Sequence, residues 1–144
     1  TAQYTLRDIV QMEDAPDNIL EQLSVDKLLL IAEGEVVAGF DLARVTEDDI
    51  VAIHDTVLLF LPSPEILYTR IDNEGTYVFE RETGLFRRPD PDLETAARRL
   101  AEQQIRDWAL ERGILEDAEE FGVFYMENFL HALGFNKIRI EIQR

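Results

Sequence analysis

The chain has 144 residues, the usual length of one domain, and 46% of them are hydrophobic, enough to form one core. Its formal net charge is −16, from 30 Asp and Glu against 14 Lys and Arg, so its field repels nucleic acids and anionic lipid headgroups. The absence of cysteine excludes disulfides, thiolate nucleophiles and cysteine-based zinc sites. We expect a single globular domain, residues 1–144, with a solvated acidic surface and no affinity for nucleic acid.

The first half of the chain has the patterns of β-strands. Apolar or alternating runs that predict strands lie at residues 4–12, 27–32, 36–40, 50–53, 56–61, 66–71 and 76–80. Turns are predicted at Gly34, between the second and third runs, and at the polar residues 72–75, between the last two. His54 and Asp55 predict a tight hairpin, and the prolines at 62–64 a break, since proline has no N–H to donate.

From Asp90 onwards the apolar residues recur with a period of about 3.6 instead of two. Asp90 and Pro91 occupy the N-cap and first-turn positions of a helix, and Gly113 is predicted to be its left-handed cap. A second helix follows and ends at Gly134. Its apolar face is predicted to consist of Ala118, Phe121, Gly122, Tyr125, Phe129 and Leu133. Alternation at residues 137–142 predicts a last strand.

These patterns together predict an α+β fold. Its sheet is expected to be mostly antiparallel or mixed and to come from the N-terminal two-thirds of the chain. Two consecutive C-terminal helices pack on the sheet, and a final strand follows them.

Few residues have the spacing of known catalytic or metal sites. His54 and His131 are far apart in the chain and have no partner at metal-ligand spacing. No phosphate-binding loop, nucleophile elbow or serine–lysine motif is present. Acidic runs at 46–49 and 72–75 lack the spacing of an EF-hand and are interpreted as solvated turns. We therefore expect no cofactor and no metal.

Two carboxylates, Asp41 and Glu65, are flanked by apolar residues. A carboxylate at the edge of a core has to be paired or hydrogen-bonded, commonly to the N–H groups of a turn, which favours a structural role. The functional alternative is that both point into one cleft, with Arg70 as the counter-charge.

Several arginines surround the start of the first predicted helix. A helix N-terminus beside arginines can bind an anion, and the candidates for such a site are Arg87, Arg88 and Arg98. The alternative is that these arginines pair with glutamates of the same segment, such as Glu94. The alternation of opposite charges along the segment favours this pairing.

Three segments together resemble a known family. They are EVVAGFDL at residues 35–42, LPSPEIL at residues 61–67 and ALGFNKI at residues 132–138. In order and spacing they are similar to the bacterial family called domain of unknown function 4230, and the resemblance covers nearly the whole chain. Phe40 stands where an aliphatic residue is expected. The resemblance implies a membrane-spanning segment ahead of this domain in the full-length protein, and it implies no activity.

The absence of catalytic motifs and the resemblance favour an uncharacterised extracytoplasmic domain that binds a ligand or a protein. We expect it to be displayed from an N-terminal membrane anchor outside the present chain. The alternative function is a carboxylate-dependent hydrolase, with or without a divalent metal, in a cleft near Asp41 and Glu65. A membrane-scaffold role, suggested by long helices followed by a strand, rests on architecture alone.

A homo-oligomer is a further expectation about partners. Either a free sheet edge or the aromatic second helix could supply its interface, because Phe121, Phe124, Tyr125 and Phe129 are spread over more than one face. A monomer in sedimentation at high concentration, together with burial of Phe124 within the subunit, would contradict this interface.

Overall fold

The computed structural model describes residues 1–13, 26–85 and 88–143. Within these residues, five strands precede the helices: β1 (Ala2–Glu13), β2 (Asp26–Gly39), β3 (Ile50–Ile53), β4 (Thr56–Pro62) and β5 (Glu65–Thr83). Helices α1 (Pro91–Glu111) and α2 (Ile114–Ala132) then lead to strand β6 (Lys137–Gln143). Two short 3-10 helices, Leu42–Arg44 and Glu47–Asp49, lie between β2 and β3.

The strands form two three-stranded sheets, in the orders β1-β2-β5 and β3-β4-β6. In the second sheet β3 pairs with β4 antiparallel, and β4 pairs with β6 parallel, with Val57 opposite Ile138. The predicted α+β fold, with two consecutive helices packed on sheet and a final strand after them, is confirmed.

The chain divides into two compact units. The first contains Thr1–Tyr4, Val37–Tyr68 and Ala109–Arg144, and the second contains Thr5–Val36 and Thr69–Trp108. The expectation of a single globular domain over residues 1–144 stays a prediction.

In the second unit, α1 packs on strands β1 and β2. The buried side chains of β2 alternate along the strand, and those of α1 recur every fourth residue, as the periods of strand and helix require. The core cluster consists of Val10, Leu28, Leu30, Ala32, Leu93, Ala97 and Ala101.

In the first unit, α2 packs on the sheet β3-β4-β6. Val57, Leu59 and Leu61 alternate along β4 and form a core cluster with Leu130 of α2. The β4 strand ends at Pro62 and β5 begins at Glu65, so the break predicted at residues 62–64 is confirmed.

The predicted hairpin and helix ends are also confirmed. Ile53 pairs with Thr56, so His54 and Asp55 form a two-residue turn, and His54 has a left-handed φ of 57°. The Asp90 carboxylate accepts a hydrogen bond of 2.9 Å from the N–H of Asp92 at the start of α1. Gly113 has φ 83° and ψ 29°, the left-handed conformation expected of a helix cap.

The end of α2 is a Schellman motif. Gly134 has φ 99°, its N–H donates to the carbonyl of His131, and the N–H of Phe135 donates to the carbonyl of Leu130. These two bonds satisfy carbonyls that the end of the helix would otherwise leave without a partner.

The turn predicted at Gly34 was wrong, because β2 is one continuous strand. Buried positions alternate through the glycine without a change of phase, so the chain does not reverse there. A Cβ at Gly34 would lie 2.9 Å from the carbonyl oxygen of Arg70 and 3.0 Å from Cδ1 of Ile105. Gly34 therefore permits a close approach of neighbouring chain segments.

The turn predicted at residues 72–75 was also wrong, since β5 runs through this segment. The Asp72 carboxylate accepts a hydrogen bond from the N–H of Glu74, and the phase of the inward side chains changes here. Thr76 then holds β5 to β2, because its hydroxyl donates to the carbonyl of Glu33 and accepts from the N–H of Glu33. The polar run is an irregularity within the strand, and it does not reverse the chain.

Candidate functional site

Helix α2 and its C-cap residue Leu133 expose a row of large apolar side chains. Phe121, Tyr125, Phe129 and Leu133 recur every fourth residue and are 57%, 71%, 49% and 61% exposed. The apolar face predicted for α2 is therefore only partly buried. We call them the aromatic row.

The core-facing row of α2 is made of smaller residues beside the aromatic row. It contains Ile114, Ala118, Gly122 and Leu130, so Ala118 and Gly122 are the buried part of the predicted apolar face. A Cβ at Gly122 would lie 2.6 Å from Cδ2 of Phe40 and nearer still to Cε2. Because the ring of Phe40 fills this space, a larger side chain could not face inwards here.

Phe124 lies outside the aromatic row, about 60° around the helix axis from Phe121, and it is 66% exposed. Burial of this residue was one of the two conditions that together would have contradicted an interface, and this condition is not met.

An open groove of about 960 Å³ runs beside α2. Its lining combines apolar and carboxylate side chains. The residues are Ser63, Pro64, Leu115, Glu116, Glu119, Glu120, Phe121, Val123, Phe124 and Glu127. We call this surface the α2 groove.

The α2 groove is negatively charged as well as apolar. Helix α2 contains five carboxylates and neither Lys nor Arg. Four of the carboxylates line the groove, and the fifth, Asp117, accepts a hydrogen bond of 2.5 Å from the hydroxyl of Tyr4. This bond raises the pKa of Tyr4, because the phenol has to stay protonated to donate.

The structure places Asp41 and Glu65 at one short 3-10 helix, Leu42–Arg44. The Asp41 carboxylate accepts a hydrogen bond of 3.1 Å from the N–H of Ala43 and thereby caps the start of this helix. Arg44, at its end, lies 3.8 Å from the Glu65 carboxylate, and both side chains are about half exposed. Arg70, the expected counter-charge, forms an ion pair with Glu35. Each contact described here has a local structural use.

The three arginines proposed for an anion site have different surroundings. Arg98 donates from Nε and Nη2 to Glu94, at 3.2 and 3.0 Å, and from Nη1 to Asn73. Arg88 is exposed, and Arg87 lies outside the described residues. The pair of Arg98 with Glu94 is the alternative that charge alternation favoured.

A buried ion pair that the sequence analysis did not identify lies near the start of α1. Asp26 is fully buried, and its carboxylate accepts hydrogen bonds from the guanidinium of Arg81, the hydroxyl of Thr83 and the N–H of Asp90. The guanidinium, above all, holds the pKa of Asp26 at about 2, against the opposing effect of burial. Arg81 also donates to the carbonyl of Asp90, so the cluster joins β2, β5 and the start of α1.

The acidic run at residues 46–49 forms a local turn. The Asp49 carboxylate accepts hydrogen bonds from the N–H and hydroxyl of Thr46, both at 2.8 Å, and from the side chain of Gln143. These bonds stabilise the ionised form and lower the pKa of Asp49. Within residues 1–13, 26–85 and 88–143, no group of three or more His, Asp or Glu side chains is placed to bind a metal ion.

The structure thus shows an α+β protein with two helices packed on two small sheets and an apolar, acidic groove along the second helix. The model of the family described as Protein of unknown function (DUF4230) matches residues 1–140. The chain belongs to this family, and the resemblance inferred from the three segments is confirmed. Searches of curated proteins and of solved structures found no match. No helix in the described part of the chain is long and apolar enough to cross a membrane.

Proposed function

We propose that this chain is a protein-interaction domain, displayed outside the cytoplasm from a membrane anchor, and that it binds its partner through the exposed side of α2. The aromatic row is the observation that carries this proposal. Its four residues, together with Phe124, are each about half exposed or more on a single helix.

The exposed apolar area on α2 is large for a surface without a partner. With ~200 Å² for a fully exposed aromatic ring, the four rings on α2 expose on the order of 500 Å² together. Apolar patches of this size are among the largest on monomeric proteins and are often functional. Phe and Tyr are also enriched at the centres of protein interfaces, where they bring apolar area with few rotatable bonds.

The shape of the α2 groove also favours a protein partner. A small ligand is usually bound in a cavity that encloses most of its surface. This groove is open along the helix, and it continues into the aromatic row through Phe121. An extended or helical segment of another chain can follow such a surface over several turns of α2.

The proposed location rests on what the family resemblance implies. Its test is the reading frame upstream of the codon for Thr1 in the source gene. We expect it to encode an apolar stretch of ~20 residues, the length that a membrane-spanning helix needs. A frame that starts without such a stretch would contradict the anchor and leave the interaction surface to be judged separately.

The interaction surface is tested by site-specific photocrosslinking in cells of the source organism. The photoreactive residue p-benzoylphenylalanine is placed at Tyr125 in one variant and at Tyr77 in a control. Both tyrosines are exposed, but only Tyr125 lies on α2.

We expect a discrete adduct with another protein from position 125 and none from position 77. Equal adducts from both positions would indicate random collision, and no adduct from position 125 would contradict a partner on α2. An adduct only with a second copy of this chain would identify a homo-oligomer and would also contradict the proposal.

A further inference from the structure

We propose that the segment bound in the α2 groove is a basic, amphipathic helix of the partner protein. This inference rests on the proposed function, because it specifies the chemistry of the partner. It follows from the spacing of the groove's carboxylates, from the apolar surface beside them and from the charge of the chain.

Three carboxylates, Glu116, Glu120 and Glu127, form a line along one side of α2. Steps of four and seven residues turn an α-helix by close to whole turns, so the three side chains point in nearly the same direction. At 1.5 Å per residue, they lie about 6 and about 10 Å apart along the axis. A helix lying along the groove with Lys or Arg at positions i, i+4 and i+11 would match this spacing.

These carboxylates are available to a partner. Within the part of the chain that the structure describes, none of the ion pairs formed involves Glu116, Glu120 or Glu127. A cationic partner would therefore form new ion pairs in the groove without breaking existing ones.

The apolar side chains fix how a basic helix would lie. Phe121 and Phe124 line the groove beside the carboxylates. A partner helix with an apolar face could cover these rings while its basic edge meets the glutamates. The ring faces also attract Lys and Arg directly.

The negative charge of α2 favours a basic helix as the occupant of the groove over a second copy of the chain or an anionic membrane. Two α2 helices face to face would bring ten carboxylates together with no Lys or Arg on either helix. A net charge of −16 adds long-range repulsion between copies and from anionic lipid or nucleic acid. A cationic protein segment experiences the opposite field.

The first test uses two synthetic peptides of about 18 residues, five turns of helix. One carries Leu on one face and Lys at positions matching i, i+4 and i+11, and the other has Glu in place of each of these Lys. Binding of the labelled peptides is measured by fluorescence anisotropy. We expect the Lys peptide to bind at least about tenfold more tightly, and its affinity to fall as salt rises from about 50 to about 300 mM.

The second test reverses charge in the protein. We compare the variant E116K/E120K/E127K with the control E102K/D107K/E111K, which makes the same change of net charge at exposed positions of α1. Three exposed ion pairs, each contributing about twofold, predict about tenfold weaker binding of the Lys peptide by the first variant. The affinity of the control variant for the Lys peptide should fall less than about threefold, because only the long-range field of the protein is weakened. Circular dichroism checks that both variants are folded.

Equal binding of the two peptides, or equal losses in the two protein variants, would overturn the inference. The protein crosslinked from position 125 gives an independent test of the basic helix. If mass spectrometry maps the adduct from position 125 to a segment without Lys and Arg, the proposed interaction surface stands and the basic helix is wrong. If position 125 gives no adduct, both fail.

Discussion

The packing of Phe40 against Gly122 gives the sharpest quantitative prediction. At an ordinary interior position of a helix, replacing Gly with Ala stabilises the fold by about 1 kcal/mol. At Gly122 the new Cβ would lie 2.6 Å from Cδ2 of Phe40, well inside normal contact distance. Overpacking of this kind costs about 1–3 kcal/mol, so we expect Gly122→Ala to destabilise the protein by about 1 kcal/mol. The melting temperature should fall by roughly 2–4 °C.

The sign should reverse when the ring is removed. Valine at position 40 has no δ or ε carbon, so Phe40→Val opens the space that the new methyl group needs. In the Phe40→Val background, Gly122→Ala should gain up to about 1 kcal/mol. The coupling free energy between the two positions is then about 2 kcal/mol.

Urea unfolding of the wild type, both single variants and the double variant measures this coupling. Ala96→Gly, at an exposed position of α1, serves as the control for helix propensity alone and should cost about 1 kcal/mol. If Gly122→Ala changes stability equally in both backgrounds, Phe40 does not determine the residue at position 122, and the packing argument fails.

Three further predictions concern stability. Asp26→Asn should cost about 3–5 kcal/mol in urea unfolding by leaving Arg81 with an unpaired, largely buried charge. In the folded protein the pKa of Asp26 is lowered from 3.8 to about 2, so its contribution to the free energy of unfolding is present above pH 4 and is lost as pH falls towards 2. If the wild type and the Asp26→Asn variant lose stability in parallel over this pH range, the assignment of the effect to Asp26 is wrong. His54→Val should lower the free energy of unfolding by about 1–3 kcal/mol, because a β-branched residue resists a φ of 57°. His54→Gly should be tolerated. Equal melting temperatures for the two variants would refute the role of the left-handed backbone at position 54. Gly134→Ala should cost on the order of 1 kcal/mol because of its φ of 99°, and no change in the melting temperature would mean that the cap is dispensable.

Local chemistry made much of the fold predictable. Several turns, caps and breaks that depend on one or two residues were found at their positions, as His54, Asp90 and Gly134 show. The turn predicted at Gly34 was wrong for a physical reason. A glycine is favoured both where the chain reverses and where two chain segments approach closely, and composition alone does not distinguish the two cases. The signal that could have decided was that every even position from Leu28 to Ala38 is apolar or glycine, so one apolar face continues through Gly34.

The candidate site was less predictable, since two rows of α2 have the same four-residue spacing. Hydrophobicity favoured Phe121 and Tyr125 for the core, but the structure buries Ala118 and Gly122. The choice depends on how closely the helix approaches the sheet, which is a tertiary property. The ring of Phe40, far away in the sequence, fills the space next to Gly122.

The pairing of Asp26 was beyond sequence reasoning for a similar reason. Its partners Arg81, Thr83 and Asp90 lie far along the chain, and nothing in the residues around Asp26 distinguishes it from other carboxylates. Only its position opposite β5 in the folded sheet reveals that it is buried and paired.

The aromatic row has a further consequence for how the protein behaves at high concentration. Exposed rings on a helix promote non-specific clustering whenever molecules collide often. Here the rings are carried by a chain of net charge −16, so mutual repulsion keeps approaching molecules apart before the rings can touch. Because that repulsion comes from ionised carboxylates, it weakens in acid as they are protonated and in salt as they are screened. The acidity of the chain thus opposes self-association through the exposed rings of α2, and this repulsion is strongest at neutral pH and low ionic strength.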